Sequence, residues 1–266
     1  MADTHLLTDM ADGIATITLN RPEALNAFSP QMVEALIEVT GRYERDSAVR
    51  CVVLRGAGEH FMAGGDVKGF HKALTEDRDA VLRRREMDVV RVHQITYQLR
   101  RMRKPVLASV QGATAGIGMG LLLAADLAIA SDDAFFTLAY RHVGLTADGG
   151  STYFLPRVVG ERRALELALL GERFTAQRAL DIGIVNWLTP RATLADETAR
   201  IARTLADGPT VALGLAKNLI RSSFDNSFDE HSHREAESFA AAVATEDHLE
   251  GVTAFVEKRK PVFRGR

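Results

Sequence analysis

The 266-residue chain is 46% apolar and 26% charged, enough to bury a sizeable core in one large domain or a domain with an appendage, which excludes a disordered protein. Its formal net charge of −2, with no basic block, argues against nucleic acid as a partner, and its apolar runs, such as residues 121–125, are far too short to cross a bilayer. The single cysteine, Cys51, allows no intramolecular disulfide and suggests no zinc site, so no metal is expected; within Cys51-Val52-Val53-Leu54 it reads as a buried, inert thiol.

The first residues lack a basic segment followed by a long apolar one, so no signal peptide is expected and a cytoplasmic location is. Residues 5–10 and 14–19 flank Ala11-Asp12-Gly13, a hairpin signal. Ser29 and Pro30 then open a helix through about Arg45, with Ser29 as N-cap. Residues 49–54 form the next strand, and Phe61-Met62-Ala63-Gly64-Gly65-Asp66 is a glycine turn before a short helix. Residues 79–103 read as one long, arginine-rich helix with a solvated face.

The chain is organised around residues 104–126. Residues 106–110 are a short buried strand, glycines follow at 112, 116, 118 and 120, and residues 119–125 form a helix apolar all round. Residues 126–130 and 134–137 are short strands, and 142–150 is a loop with Gly144 and Gly149-Gly150. Residues 151–158, 161–170 and 176–182 are helical and 185–188 is one more strand. Four helices follow, over about 194–206, 210–222, 228–244 and 246–258. Alternating strands and helices predict parallel pairing with crossovers, in an α/β core over residues 1–190. The helical region over 191–266 has apolar faces, such as Phe239 with Val243 and Val252 with Phe255, that need burial, and a neighbouring subunit is one candidate.

Strand, glycine-rich backbone and helix N-terminus in succession aim free N–H groups at an anion. The turns at Gly64-Gly65 and Gly116-Ile117-Gly118 could together supply two donors to one oxygen, as an oxyanion hole does when a thioester carbonyl becomes an enolate. The plainer reading is that these glycines only permit tight turns. A dinucleotide site fits poorly: Gly116, Gly118 and Gly120 are spaced GxGxG rather than GxGxxG, and no second mononucleotide half follows.

Taken as a set, Arg21-Pro22-Glu23-Ala24-Leu25-Asn26-Ala27-Phe28, the Phe61–Asp66 turn, Val110-Gln111-Gly112 with Gly116-Ile117-Gly118, Ala125-Asp126, and Gly144-Leu145 with Asp148-Gly149-Gly150 resemble the crotonase (enoyl-CoA hydratase/isomerase) superfamily, as does the C-terminal Phe255 to Phe263. The resemblance spans nearly the whole chain. It implies a spiral of ββα turns, a C-terminal helical trimerisation region, trimers or dimers of trimers, and a coenzyme A thioester as substrate with no separate cofactor. It also implies that the backbone N–H groups of Gly65 and Ile117 form the oxyanion hole. Leu25, Ala27, Ala63, Gly64 and Asp66 would line the coenzyme A channel, with Tyr140 at the acyl site and Lys260 meeting a phosphate.

Where enoyl-CoA hydratases of that superfamily place two glutamates, this chain has Gly120 and Tyr140. The remaining carboxylate, Asp148, matches an acid/base aspartate of the superfamily's isomerases, and residues 144–171 are most similar to the 1,2-epoxyphenylacetyl-CoA isomerase group of aerobic phenylacetate breakdown. The expectation is therefore an acyl-CoA isomerase that stabilises an enolate and moves a proton with Asp148. The alternatives are an enoyl-CoA hydratase and a member that binds acyl-CoA without turning it over. By itself Asp148 also reads as an N-cap for the helix near Ser151, or a turn residue. Tyr140 either fills the vacated glutamate site or offers its hydroxyl, Asp66 reads as a helix cap, and His142 as a surface or hydrogen-bonded residue.

Overall fold

The computed structural model describes residues 4–266. β1 (Leu6–Ala11) and β2 (Ile14–Leu19) form an antiparallel hairpin across Asp12-Gly13, both at positive φ, as a two-residue turn requires. α1 (Pro30–Arg45) starts where expected, with the Ser29 side chain accepting from the Met32 amide. A pattern then repeats: one strand enters a large sheet, a much shorter strand enters a small sheet, and a helix carries the chain back. The first round is β3 (Cys51–Gly56), β4 (Met62–Ala63), α2 (Val67–Glu76) and α3 (Arg78–Arg101). The second is β5 (Val106–Val110), β6 (Ala113–Ala115) and α4 (Ile117–Ala124). The third is β7 (Leu127–Ser131), β8 (Phe135–Thr137), α5 (Ser151–Val159) and α6 (Glu161–Leu170). β9 (Phe174–Thr175), α7 (Ala176–Asp181) and β10 (Trp187–Thr189) close the spiral.

The large sheet runs β1-β2-β3-β5-β7-β10, parallel from β2 onward, and the small one β4-β6-β8-β9, parallel except for β9. The mixed α/β spiral with a helical C-terminal region thus agrees with the sequence, although β4, β6 and β9 were not expected as strands. Each has two or three residues, too few to establish an alternation. The strand expected at 49–54 begins two residues later.

Alternate residues of the large sheet serve two cores. Val52, Leu54, Val106, Ala108 and Val110 pack with α1, α3 and α4, while Cys51, Val53, Leu107 and Ile129 pack under α8 (Leu194–Ala206) through Leu194, Ile201, Ala202 and Ala206. Burial pushes the Cys51 thiol up to about 12, in keeping with an inert side chain. Every residue of α4 is buried, as its unbroken apolar run predicts.

α9 (Thr210–Ser222), α10 (Phe228–Val243) and α11 (Glu246–Glu257) extend beyond this core. Lys217 and Arg221 of α9 both reach Asp126 at 2.5 Å, and Asp126 also accepts from the Val106 amide at 2.7 Å. Burial pulls the Lys217 ammonium down to about 8 in spite of that carboxylate. The buried Asp247 side chain accepts from the Arg264 and Gly265 amides at 2.6 and 2.8 Å, which straps the C-terminal segment to α11. α10 has no buried residue, and Phe228, Phe239 and Phe255 are 84, 73 and 85% exposed, a large apolar surface for a single chain. No helix among the described residues is long and apolar enough to cross a membrane.

Candidate active site

β4 and β6 pair with Ala63 opposite Ala115, so Gly64-Gly65-Asp66 and Gly116-Ile117-Gly118 leave the small sheet side by side. Gly64 (φ +88°) and Gly116 (φ +53°, ψ −123°) hold angles that a Cβ disfavours. They also touch: a Cβ on Gly116 would lie 3.3 Å from the Gly64 Cα. Gly118 is required for a different reason, because a Cβ there would lie 2.5 Å from the Met62 carbonyl oxygen. Only glycine lets the start of α4 rest on β4.

The Gly65 N–H has no acceptor among the described residues, and a Cβ on Gly65 would meet nothing within 4 Å. Ile117 opens α4 and, as in any helix, its first N–H groups have no intrahelical acceptor; the first to find one is Met119, at 2.9 Å from the Gly116 oxygen. Two turns thus carry unengaged amides next to each other, one of them at the positive end of a buried helix dipole. That arrangement suits an oxygen that gains negative charge during a reaction.

Residues 25–28 run beside the first turn. The Leu25 carbonyl accepts from the Ala63 amide at 2.9 Å, and the Phe28 amide donates to the Gly64 carbonyl at 3.2 Å. Leu25 is exposed, Ala27 buried and Ala63 half-buried along this edge. Fully buried Asn26 holds the segment in place: its Oδ1 accepts from the Arg21 amide at 2.9 Å, and its Nδ2 donates to the Ala57 and His60 carbonyls at 2.9 and 2.7 Å. Asp66 caps α2, as expected, accepting from the Gly69 amide at 2.9 Å.

Asp148 sits in the turn before α5 and does not cap that helix. The N-cap position is Gly150, no side chain caps it, and it is the Asp148 backbone carbonyl that accepts from the Ser151 amide. The half-buried carboxylate faces inward instead and accepts from the Tyr140 hydroxyl at 2.6 Å. Burial, and then the Asp148 charge, push the Tyr140 phenol far above its ordinary range, so it remains a donor. The Tyr140 ring is thus half-buried, with its hydroxyl engaged on Asp148. A Cβ on Gly116 would lie 3.9 Å from that hydroxyl, which places the Tyr140–Asp148 pair against the second glycine turn.

Gly149 and Gly150 let the turn pack where it does. A Cβ on Gly149 would lie 1.9 Å from the Ile117 Cδ1, and one on Gly120 would lie 2.7 Å from the Gly149 oxygen. The Asp148 turn thus rests directly on α4, where a side chain at 120 would otherwise project. On its other side the Gly149 amide donates to His93 Nε2 of α3 at 3.1 Å. Further along α3, the Arg85 guanidinium stacks on Phe70 of α2 at 3.6 Å; burial lowers its ionisation, and Asp148 is among the charges opposing that.

Gly64, Gly65, Ile117, Tyr140 and Asp148 come together, with Leu25, Ala27, Ala63 and Asp66 along the first turn. Lys260 lies exposed in the segment after α11 and shares no hydrogen bond with them. His142 is exposed, with Nε2 3.0 Å from the Gly171 oxygen, away from this cluster. Sequence reading missed His93, Arg85 and Phe70, which lie on helices without a motif around them, and it gave Asn26 no role of its own. The left-handed backbone of Leu25 and Asn26 (φ +53° and +57°) has its signal only in the asparagine.

A family model described as Enoyl-CoA hydratase/isomerase matches residues 9–266. The chain is 38% identical over 262 residues to the 1,2-epoxyphenylacetyl-CoA isomerase of Escherichia coli K12, covering 98% of each chain. It is 33% identical to the trans-2-decenoyl-[acyl-carrier-protein] isomerase of Streptococcus mutans, again over 98% of each. Among solved structures, an enoyl-CoA hydratase from Bacillus anthracis superposes with a TM-score of 0.91 at 30% identity, covering 98% of this chain and 100% of that one.

Proposed function

Because the chain belongs to the enoyl-CoA hydratase/isomerase family, we propose that it is an acyl-CoA isomerase in which Asp148 carries the proton. The thioester oxygen sits between the N–H groups of Gly65 and Ile117. Negative charge that develops on that oxygen is stabilised there, so a proton of the acyl chain becomes easier to remove. The Asp148 carboxylate takes this proton and returns it to another carbon, which shifts a double bond or completes the opening of a strained ring. Tyr140 engages Oδ1, leaving Oδ2 as the oxygen that accepts. The scheme uses only these residues and the substrate's own coenzyme A.

The observation that carries this reading is the inward Asp148 beside Tyr140, at a site where Gly120 is packed under the Gly149 carbonyl. Hydration as in the two-glutamate enzymes has one carboxylate too few. The resemblance to epoxide isomerases extends the proposal to aromatic, phenylacetate-derived thioesters. Leu25, Ala27, Ala63 and Asp66 would flank the coenzyme A, with Lys260 against a phosphate. The exposed phenylalanines of α10 and α11 would pair in a homotrimer or a dimer of trimers, in the cytoplasm.

Acyl-CoA thioesters with 2-enoyl, 3-enoyl and epoxyphenylacetyl groups, incubated in heavy water, test the proposal. Deuterium uptake with isomerisation, abolished in Asp148→Asn, is the expected result. Net water addition to crotonyl-CoA at comparable rates would make the enzyme a hydratase, and full turnover by Asp148→Asn would remove Asp148 from the mechanism.

A further inference from the structure

We propose that His93 is the positioning residue of this site, a peg on α3 that fixes the Asp148 turn by accepting the Gly149 amide. The proposal rests on the reading of Asp148 as the proton carrier. The turn has little stiffness of its own, since Gly149 and Gly150 both sit at positive φ (+61° and +79°) and glycine is the residue with the widest backbone freedom. It is held from outside. α4 supports it through Ile117 and Gly120, and Tyr140 holds the Asp148 side chain. The contact that fixes the backbone next to Asp148 from the opposite direction is Gly149 N–H to His93 Nε2, at 3.1 Å.

The geometry specifies the peg closely. For Nε2 to accept, the ring carries its proton on Nδ1. The neighbouring residues of α3 are anchored: Ile95, Thr96 and Leu99 are buried, and the Thr96 hydroxyl donates to the His93 carbonyl at 3.1 Å. The imidazole therefore projects from a rigid helix to an amide one bond from Asp148. Loss of that acceptor leaves Gly149 without its partner and lets the carboxylate wander by fractions of an ångström. Misplacement on the order of 1 Å costs about 100-fold in rate.

Gln and Asn separate this role from simple space filling. Glutamine places a side-chain amide where Nε2 stands and can accept from Gly149, whereas asparagine reaches only to the position of Nδ1. The test compares kcat, KM and thermal unfolding of His93→Gln, His93→Asn and Asp148→Asn on one isomerised thioester. The expected result is a kcat lowered about 10- to 100-fold in His93→Asn, with KM and melting temperature near wild type, and largely restored in His93→Gln. Equal losses in the two variants, a change confined to KM, or full activity in His93→Asn would overturn the proposal. If His93→Asn is too unstable to assay, His93→Met, which fills the space without an acceptor, is read in its place by the same outcomes. Full activity in Asp148→Asn would overturn the parent reading as well; an inactive Asp148→Asn beside a fully active His93→Asn would overturn this one alone.

Discussion

Both α2 and α4 follow a very short strand and a glycine turn, and each turn brings one unengaged amide to the site, yet every residue of α4 is buried and none of α2 is. α4 is gripped on all sides: β4 lies against Gly118, the Asp148 turn against Gly120, and Asp126 just past its last turn is clamped by Lys217 and Arg221. α2 is held by its Asp66 cap and by Phe70 under Arg85, and it leaves Val67 and Leu74 exposed. One local device has thus been placed in two settings. Under the proposed mechanism the buried half would fix where the thioester oxygen sits, and the loosely held half would have room to adjust to the acyl group.

The largest expected effect comes from the buried half. Ile117→Pro removes the α4 donor at the first helical position, where proline is tolerated. It should lower kcat by roughly 10²–10³ in steady-state assays, the usual loss for one oxyanion donor. If kcat is unchanged, Ile117 is not half of the hole. Tyr140→Phe deletes the hydrogen bond to the Asp148 charge and should cost about 10- to 100-fold in kcat, equivalent to ~1.5–3 kcal/mol, with folding little affected.

Two alanine substitutions address the contrast itself. Gly118→Ala drives a methyl into the Met62 carbonyl and should lose about 1–3 kcal/mol of stability in urea unfolding. Gly65→Ala points into open space and should change stability by less than about 0.5 kcal/mol while altering KM. Equal destabilisation by both would erase the distinction between a fixed and an adjustable half.

The smallest effect is expected behind α4. Lys217 has its ammonium depressed to about 8 from 10.5, so between these values the unfolded chain binds more protons than the folded one. The destabilising contribution is complete below about pH 8 and is relieved as pH rises toward 10.5. The stability difference between wild type and Lys217→Met, followed by urea titration across that range, should move in favour of wild type with rising pH. A difference independent of pH would mean that Lys217 titrates normally.

Periodicity and caps made the long elements legible: Ser29 began α1, Asp66 began α2, and the apolar run after Gly118 announced a helix buried on all faces. Of the small sheet only β8 was expected; β4, β6 and β9 escaped because strands as short as Met62–Ala63 carry no pattern and are defined by partners distant in sequence. Asp148 was visible as a lone carboxylate among glycines, but its direction was not. That direction depends on Tyr140 eight residues earlier and on His93 on a separate helix, a meeting only the folded chain creates. Arg85 was submerged among other arginines of α3, and nothing local marked it as the one stacked on Phe70.

The contact of Gly120 with Gly149 also constrains how such a catalyst can change over generations. A glutamate at 120 would bring its Cβ within 2.7 Å of the Gly149 oxygen, so the loop that carries Asp148 would have to shift to admit it. A second carboxylate at 120 therefore calls for a compensating change in that loop. On the proposed reading, helix and loop would change together if the pocket were to gain a second acid.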